Sequence, residues 1–267
     1  MPTALVGWPQ TALTAGGVHQ ALTERFFDGG GEARFAQPAD LAERARLFRT
    51  QVDEIDPTIT SRFGSQPPDG VVAALSRDLW RQDLSFFLLD QAPQIEALFV
   101  VLPGLAEITS GYFGGYSAVH FDGLQEKAAV QAAGLVSAYY AYLDDLLAQL
   151  WERGGEPRML VVVSTHGAAG PQGWRRARRL MLRQGAVEGD LGSDGVLMFL
   201  GEGVRPGSMG PAELVDLVPT LLYGLGFPIA RDLDGAVLTT AFETSFLARR
   251  PLTFLPSYEA LAERTEP

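Results

Sequence analysis

The chain has 267 residues, of which 46% are hydrophobic and 20% charged, a composition typical of a globular protein with a sizeable core. It contains no cysteine, which excludes disulfides, thiolate metal ligands and thiol catalysis. Its formal net charge of −11 disfavours nucleic acid as a partner, because phosphate binding needs surplus Lys and Arg.

Targeting signals are not evident in the sequence. The N-terminus, MPTALVGWPQ, lacks the basic residues and the long apolar run of a signal peptide. No stretch reaches the ~18–20 apolar residues of a membrane span. We therefore expect no membrane partner and, by default, a cytoplasmic location. One basic cluster, WRRARRLMLR at 174–183, is more typical of a solvated helix face than of an anion site.

Apolar runs of strand length recur along the chain. They are nearly continuous rather than alternating, which is typical of strands covered on both faces. Helical patterns lie between them, so we predict an α/β fold with a mostly parallel central sheet and helices on both faces. The predicted strands are ALVGW at 4–8, LFVVLPG at 98–104, MLVVVS at 159–164 and GVLMFLG at 195–201.

Apolar residues between the strands recur at spacings of three and four, as in amphipathic helices. Leu41, Ala45, Phe48 and Val52 form one such stripe. The helices predicted in this way cover 38–55, 71–91, 124–155 and 215–226.

The ends of two predicted helices carry recognisable signals. Gly154 and Gly155 end the helix over 124–155. In the last helix Asp216 is a good N-cap, Pro219 falls in the first turn, and Gly226 follows the end. Because no repeat or low-complexity linker interrupts the chain, we predict one domain over 1–267. Within it, 28–97 is expected to be a helical insertion or cap-like region.

The C-terminal third carries several motifs in a fixed order. A strand leads to GEGVRPG, then to DLVPTLL, and then to GLGFPIARDLDG. This order resembles the C-terminal segment of the type I phosphodiesterase/nucleotide pyrophosphatase branch of the alkaline phosphatase superfamily. That segment runs strand, G-P-G-I-K-x-G, D-x-x-P-T-x-L helix, G-L-P and D-x-D-G. The resemblance is specific because several turn residues agree in order and spacing over 195–242.

Segments further upstream resemble the same family. LVVVSTHG is similar to its V-V-S-D-H-G strand end, VVLPGLAEITSGYF to its strand followed by D-x-x-x-H, and AYYAYLDDLLAQL to its Y-x-x-x-D helix. LVGWPQTALTAGG is more loosely similar to its G-W-W-x-T-W-P segment. The family's first strand, with a metal-binding Asp and a Thr or Ser nucleophile, precedes that segment and has no counterpart here. The resemblance therefore implies an alkaline-phosphatase-like fold that lacks the first strand.

The resemblance also implies a chemistry, in which two divalent metals such as zinc, ~3.5–4 Å apart, clamp the oxygens of a phosphoryl transfer. The Asp and His of D-x-x-x-H fall on Ala106 and Ser110, and those of S-D-H-G on Thr165 and His166. The last His falls on Leu191. A catalytic metal needs about three protein ligands. His166 is therefore predicted to be a remnant metal ligand, and no bound cofactor is expected.

These positions favour a degenerate, catalytically inactive protein that acts in binding or interaction. The alternative is an active metal-dependent phosphodiesterase or phosphatase whose ligands have moved to Glu107, Asp190 and Asp194 around His166. In an acidic chain, however, such neighbours are expected by chance. A third hypothesis is a gene start further upstream that encodes the missing segment, although this would leave the internal ligand positions unchanged.

Two further features bear on partners and on the remaining histidines. A sheet without its first strand would expose an edge or an apolar face, so we expect a homodimer, a protein partner or the N-terminal strand ALVGW to cover it. His19 and His120 are weaker site candidates. His19 is expected in a surface or capping role, and His120 in a local hydrogen bond with Asp122.

Overall fold

A computed structural model describes residues 1–9, 19–29, 31–49, 55–91, 95–156, 158–172 and 189–258. The chain divides into two compact units. The first consists of Met1–Gly154 and Ala168–Ser193, and the second of Gly155–Gly167 and Asp194–Pro267. This division does not decide whether the units fold separately, so the single domain over 1–267 stays a prediction.

The first unit contains a four-stranded, mostly parallel sheet with strand order β3-β2-β1-β4. The strand β1 lies between β2 and β4 and is parallel to both, whereas β3 joins β2 antiparallel at the edge. The predicted strands at 4–8 and 98–104 correspond to β1 and β4, and the mixed α/β class is confirmed. The four strands are β1 (Thr3–Trp8), β2 (Gln20–Thr23), β3 (Ala36–Gln37) and β4 (Ala97–Val100).

Helices make up most of the rest of this unit. Two long predicted helices form as α4 and α6, and α6 ends at Arg153, directly before Gly154, as expected. The helix predicted over 38–55 is shorter in the structure, where α2 ends at Arg46. Val52, the last residue of the predicted stripe, lies outside the described residues. The α-helices among the described residues of this unit are α1 (Glu24–Asp28), α2 (Leu41–Arg46), α3 (Pro57–Thr60), α4 (Asp69–Gln91), α5 (Gly104–His120) and α6 (Lys127–Arg153). Of these, α2, α3 and α4 lie within 28–97, as does the edge strand β3. The cap-like role of the region 28–97 stays a prediction.

The long helix α4 contributes to two apolar cores. Trp80, Leu84 and Leu88 pack with residues of β1, α1 and α2. Leu75 and Leu79 pack with residues of α5 and α6. Full burial of such a side chain contributes roughly 1.5–3 kcal/mol. Because its two sides face two cores, α4 connects the sheet to the α5–α6 pair, and polar residues on these sides, such as Asp78 and Arg81, are buried.

The predicted strands at 159–164 and 195–201 form as β5 (Met159–Ser164) and β8 (Val196–Gly201) in the second unit. They pair with each other antiparallel, with Val161 opposite Phe199. This differs from the mostly parallel sheet expected for all four apolar runs. An apolar run indicates a strand, but the direction of its pairing depends on the connection to its partner.

The strand β8 is also less covered than predicted. Val196, Met198 and Leu200 alternate along it and are 49%, 45% and 51% exposed. Phe199, on the opposite face, packs on a core that includes Tyr223 and Phe242. The expectation of strands covered on both faces is therefore wrong for β8. A continuous apolar run also suits a strand with one open face, since hydrophobicity does not report what covers a side chain.

Shorter elements complete the description. The helix predicted over 215–226 forms as α7 and ends before Gly226, where φ is +82°. No helix in the described ranges is both long and apolar enough to cross a bilayer. The remaining elements are β6 (Gly167–Ala169), β7 (Asp190–Gly192), α7 (Leu217–Gly224), β9 (Ile229–Ala230), α8 (Thr244–Arg249) and β10 (Phe254–Leu255).

Candidate functional site

His166 lies in the loop directly after β5, at the strand end where the sequence placed it. The hydroxyl of Ser164 donates to the His166 carbonyl oxygen at 2.7 Å. Nδ1 of His166 lies 3.1 Å from the carbonyl oxygen of Gly167. In the tautomer in which Nδ1–H donates to that oxygen, Nε2 keeps its lone pair, which is the usual state of a metal-binding histidine. The half-buried ring is thus held by its own loop and retains one ligand atom.

Glu107 follows Ala106, the position of the expected metal-binding aspartate, and is one of the three proposed substitute ligands. It lies on the exposed face of α5, and its carboxylate forms an ion pair with Arg77 on α4. A metal at Glu107 would have to displace this guanidinium. The side chain therefore has a structural partner within the first unit.

The other two substitute ligands lie in different units. Asp190 is half-buried at the start of β7 and belongs to the first unit. Asp194 is exposed and belongs to the second unit, as does His166. Leu191, at the position of the family's last histidine, is 74% exposed.

The residues at the expected ligand positions do not fit a two-metal centre. Ala106 and Leu191 offer no lone pair, and Ser110 and Thr165 offer neutral hydroxyls in place of the imidazole and carboxylate that zinc prefers. All four are exposed. Within the part of the chain that the structure describes, no three His, Asp or Glu side chains are grouped so that they could hold a metal ion.

A buried polar cluster lies in the first unit, and the sequence analysis did not predict it. This Asp78 cluster consists of Asp78 and Arg81 on α4, Gly104 at the start of α5, and Tyr139 and Tyr142 on α6. The carboxylate of Asp78 accepts hydrogen bonds from the Tyr139 hydroxyl at 2.8 Å and from the Gly104 N–H at 3.3 Å. Asp78 and Arg81 are at most 1% exposed. The cluster therefore joins three helices through one carboxylate.

Burial dominates the electrostatics of this carboxyl. It raises the pKa of Asp78 to about 6, although the hydrogen bond from Tyr139 and the charge of Arg81 act in the opposite direction. Burial likewise raises the pKa of both Tyr139 and Tyr142, and the charge of Asp78 raises each further. Asp78 can thus exchange a proton near neutral pH. With no exposed surface, however, it meets no solute, and its role here is to hold the helices together.

Gly104 is required where α5 begins. A β-carbon at this position would overlap the Tyr139 hydroxyl, which lies against the backbone to reach Asp78. The Gly104 N–H is also one of the groups at the start of α5 that have no partner within the helix, and Asp78 satisfies it. The sequence did contain a signal for the cluster, because Asp78 interrupts the apolar stripe of α4 beside Leu75 and Leu79.

A second hydrogen-bonded group explains the D-x-x-P-T motif of the second unit. This motif clasp consists of Asp216, Thr220, Gly235, Ala236 and Leu238. The carboxylate of Asp216 accepts from the Ala236 N–H at 2.8 Å, and the hydroxyl of Thr220 accepts from the Leu238 N–H at 2.9 Å. The same hydroxyl donates to the Asp216 carbonyl oxygen at 2.6 Å. The clasp thus fastens the start of α7 to the segment that follows D-L-D-G.

Two details refine the role expected for Asp216. It precedes α7 as predicted, but its side chain does not cap that helix and bonds instead to Ala236 and to the N–H of Glu213, at 3.1 Å. These two N–H groups lower the pKa of Asp216, with Ala236 as the larger cause. A β-carbon on Gly235 would overlap the backbone of Val215. Only glycine lets the two segments approach this closely.

No protein-family model, no curated protein and no solved structure matches this chain. The resemblance to the type I phosphodiesterase branch therefore rests on the motifs quoted above and stays a prediction. The fold and the sites are accounted for by the contacts of this chain's own residues.

Proposed function

We propose that this chain is a degenerate relative of the type I phosphodiesterase branch that does not catalyse phosphoryl transfer and acts in binding or interaction. One observation carries the proposal. In the segment most similar to the family, Asp216 and Thr220 hold backbone groups together in the motif clasp. A motif with such a structural role is needed by any protein that keeps this local fold, whether or not it is an enzyme.

The residues at the expected ligand positions also support this proposal. Structural motifs persist in this chain, whereas Ala106 and Leu191 stand where the family has metal ligands. His166 retains Nε2 as a ligand atom, but one imidazole does not supply the roughly three protein ligands of a catalytic metal. The combination indicates a family fold whose catalytic groups have been replaced.

The alternative, an active metal-dependent enzyme with relocated ligands, needs Glu107 near a metal. The Glu107 carboxylate pairs with Arg77, and no three His, Asp or Glu side chains among the described residues are grouped so that they could hold a metal ion, which disfavours this alternative. The proposal and the alternative differ in metal content and in turnover, so one preparation distinguishes them.

The test combines elemental analysis of protein purified without any chelator with hydrolysis of bis-p-nitrophenyl phosphate by the same sample in the presence of Zn²⁺, Mn²⁺ or Mg²⁺. The variants are His166→Ala and, as the matched control, His120→Ala, which removes an exposed histidine at the end of α5. We expect far less than one metal per chain and the same background hydrolysis in all three proteins.

Near-stoichiometric metal would contradict the proposal if it came with a rate that His166→Ala abolishes and His120→Ala retains. The relocated-ligand alternative would then predict that Glu107→Gln also lowers the rate. A rate that survives both histidine substitutions would instead point to a contaminating hydrolase, which repurification removes.

A further inference from the structure

A cavity of about 290 Å³ lies within the second unit, between β8 and the loop that follows it. Its walls include all four residues 197–200, together with Val204, Met209 and Ala241. Successive side chains of a strand point to opposite faces, so four consecutive lining residues place the cavity along an edge of β8. The other edge pairs with β5, which leaves this one to face the cavity.

The volume suits a small apolar group. The cavity is open to solvent on one side, and its volume of about 290 Å³ leaves room for a short alkyl chain. Met198 and Leu200 line the cavity and are 45% and 51% exposed. Covering such side chains removes apolar surface from water, which favours an apolar ligand.

One cation stands at this apolar cavity. Arg205 belongs to the lining, and its backbone N–H is anchored to the Ala241 carbonyl oxygen at 2.9 Å. Its guanidinium donates a long hydrogen bond, 3.4 Å, to the Ser208 carbonyl oxygen. Among the residues described, no carboxylate forms an ion pair with it, although the chain carries 32 Asp and Glu residues. The cavity therefore offers an apolar surface together with a guanidinium that has donors to spare.

We propose that this cavity binds a small amphiphilic carboxylate, whose apolar chain lies against Met198, Leu200 and Met209 and whose carboxylate pairs with Arg205. The lining combines these apolar side chains with polar groups, which include Arg205 and Ser208. The guanidinium suits a carboxylate because its N–H groups match the two oxygens in a bidentate pair. None of the expected metal positions is among the lining residues of this cavity, and the site does not depend on the proposed function.

The test uses octanoate as the probe and 1-octanol as its uncharged counterpart, titrated calorimetrically into the full chain. Octanoate is expected to bind more tightly than 1-octanol, by roughly twofold to fivefold, because Arg205 is exposed and solvent screens an exposed ion pair. Arg205→Gln should lower the octanoate affinity to that of 1-octanol and leave 1-octanol binding unchanged. Arg249→Gln, an exposed arginine at the end of α8, is the matched control and should change neither.

A second variant tests the apolar wall. Met198→Gln, at an exposed position that tolerates a polar side chain, should weaken octanoate and 1-octanol by the same factor. The proposal is overturned if wild-type protein does not bind octanoate, if octanoate and 1-octanol bind equally well, or if Arg205→Gln and Arg249→Gln have the same effect. A circular dichroism spectrum identical to that of the wild type shows that each variant is folded.

Discussion

The Asp78 carboxyl shows how tertiary structure changes the chemistry of a single residue. It accepts two hydrogen bonds, and the guanidinium of Arg81 favours its charge. Yet burial outweighs these effects and leaves the pKa near 6, above the ordinary value of 3.8. Between pH 3.8 and about 6, the Asp78 carboxyl is therefore protonated in the folded state and ionised in the unfolded state. Asp78 therefore contributes stability below about pH 4, and this contribution is lost as the pH rises through about 6.

The first prediction concerns Asp78→Asn, which removes this titration. A shift of about two pKa units corresponds to a change on the order of 3 kcal/mol. Between about pH 4 and pH 7, the unfolding free energy of the wild type should fall by this amount relative to the variant, as measured by urea denaturation. Asp232→Asn, at an exposed position, is the control, and its free energy of unfolding should change with pH as that of the wild type does. Parallel curves for Asp78→Asn would show that the buried carboxyl does not titrate in this range.

At the scale of elements, the motif clasp shows why a helix start and a loop distant in sequence stay together. Thr220 is fully buried, and its hydroxyl both donates to Asp216 and accepts from Leu238. Because Gly235 lies directly against the Val215 backbone, the two segments meet without an intervening side chain. The clasp therefore adds hydrogen bonds at close approach to the apolar packing of Val237 and Leu238 on the core around Tyr223.

The second prediction follows from this arrangement. Thr220→Val keeps the shape of the side chain but leaves the Leu238 N–H without its acceptor, so the free energy of unfolding should fall by about 1–3 kcal/mol. Thr240→Val is the matched control, because Thr240 is exposed and makes one hydrogen bond of 3.3 Å to Met209. It should change stability by less than about 0.5 kcal/mol. Equal losses in the two variants, measured by chemical denaturation, would mean that the clasp hydroxyl has no special role.

At the scale of the whole molecule, charge is the dominant feature. The chain carries 21 Lys and Arg against 32 Asp and Glu, which gives 21 − 32 = −11. Such an excess destabilises a compact state through self-repulsion. Exposed ion pairs such as Arg62 with Asp145 contribute little to offset it.

The third prediction is that added salt stabilises the protein. At about 0.5 M NaCl the Debye length falls well below its ~10 Å at 0.1 M, so repulsion between surface carboxylates is screened. The Tm from a thermal melt at pH 7 should therefore rise relative to about 20 mM NaCl. Choline chloride at the same concentration should give the same rise if screening is the cause. A Tm that falls with salt would indicate that ion pairs stabilise the chain more than repulsion destabilises it.

Much of the fold follows from local patterns. The strands β1, β4, β5 and β8 and the helices α4, α6 and α7 lie where apolar periodicity predicts them, because periodicity depends on neighbours within a few residues. The loop position of His166 follows for the same reason. Two predictions differ from the structure: α2 ends at Arg46 although the apolar stripe of 38–55 continues, and the strand predicted over 98–104 ends at Val100. The helix α5, which follows it, was not predicted.

The features decided by tertiary structure join residues that are far apart in the chain. Asp78 and Tyr139 are separated by 61 positions, and Thr220 and Leu238 by 18. The antiparallel pairing of β5 with β8 and the ion pair of Glu107 with Arg77 belong to the same group. Sequence alone determined the positions of β1, β5, β8, α4, α6 and α7 and of the motif-bearing loops, because these depend on local spacing. Only the folded chain decided which polar groups meet and which lose their water, because burial depends on residues that local spacing does not connect.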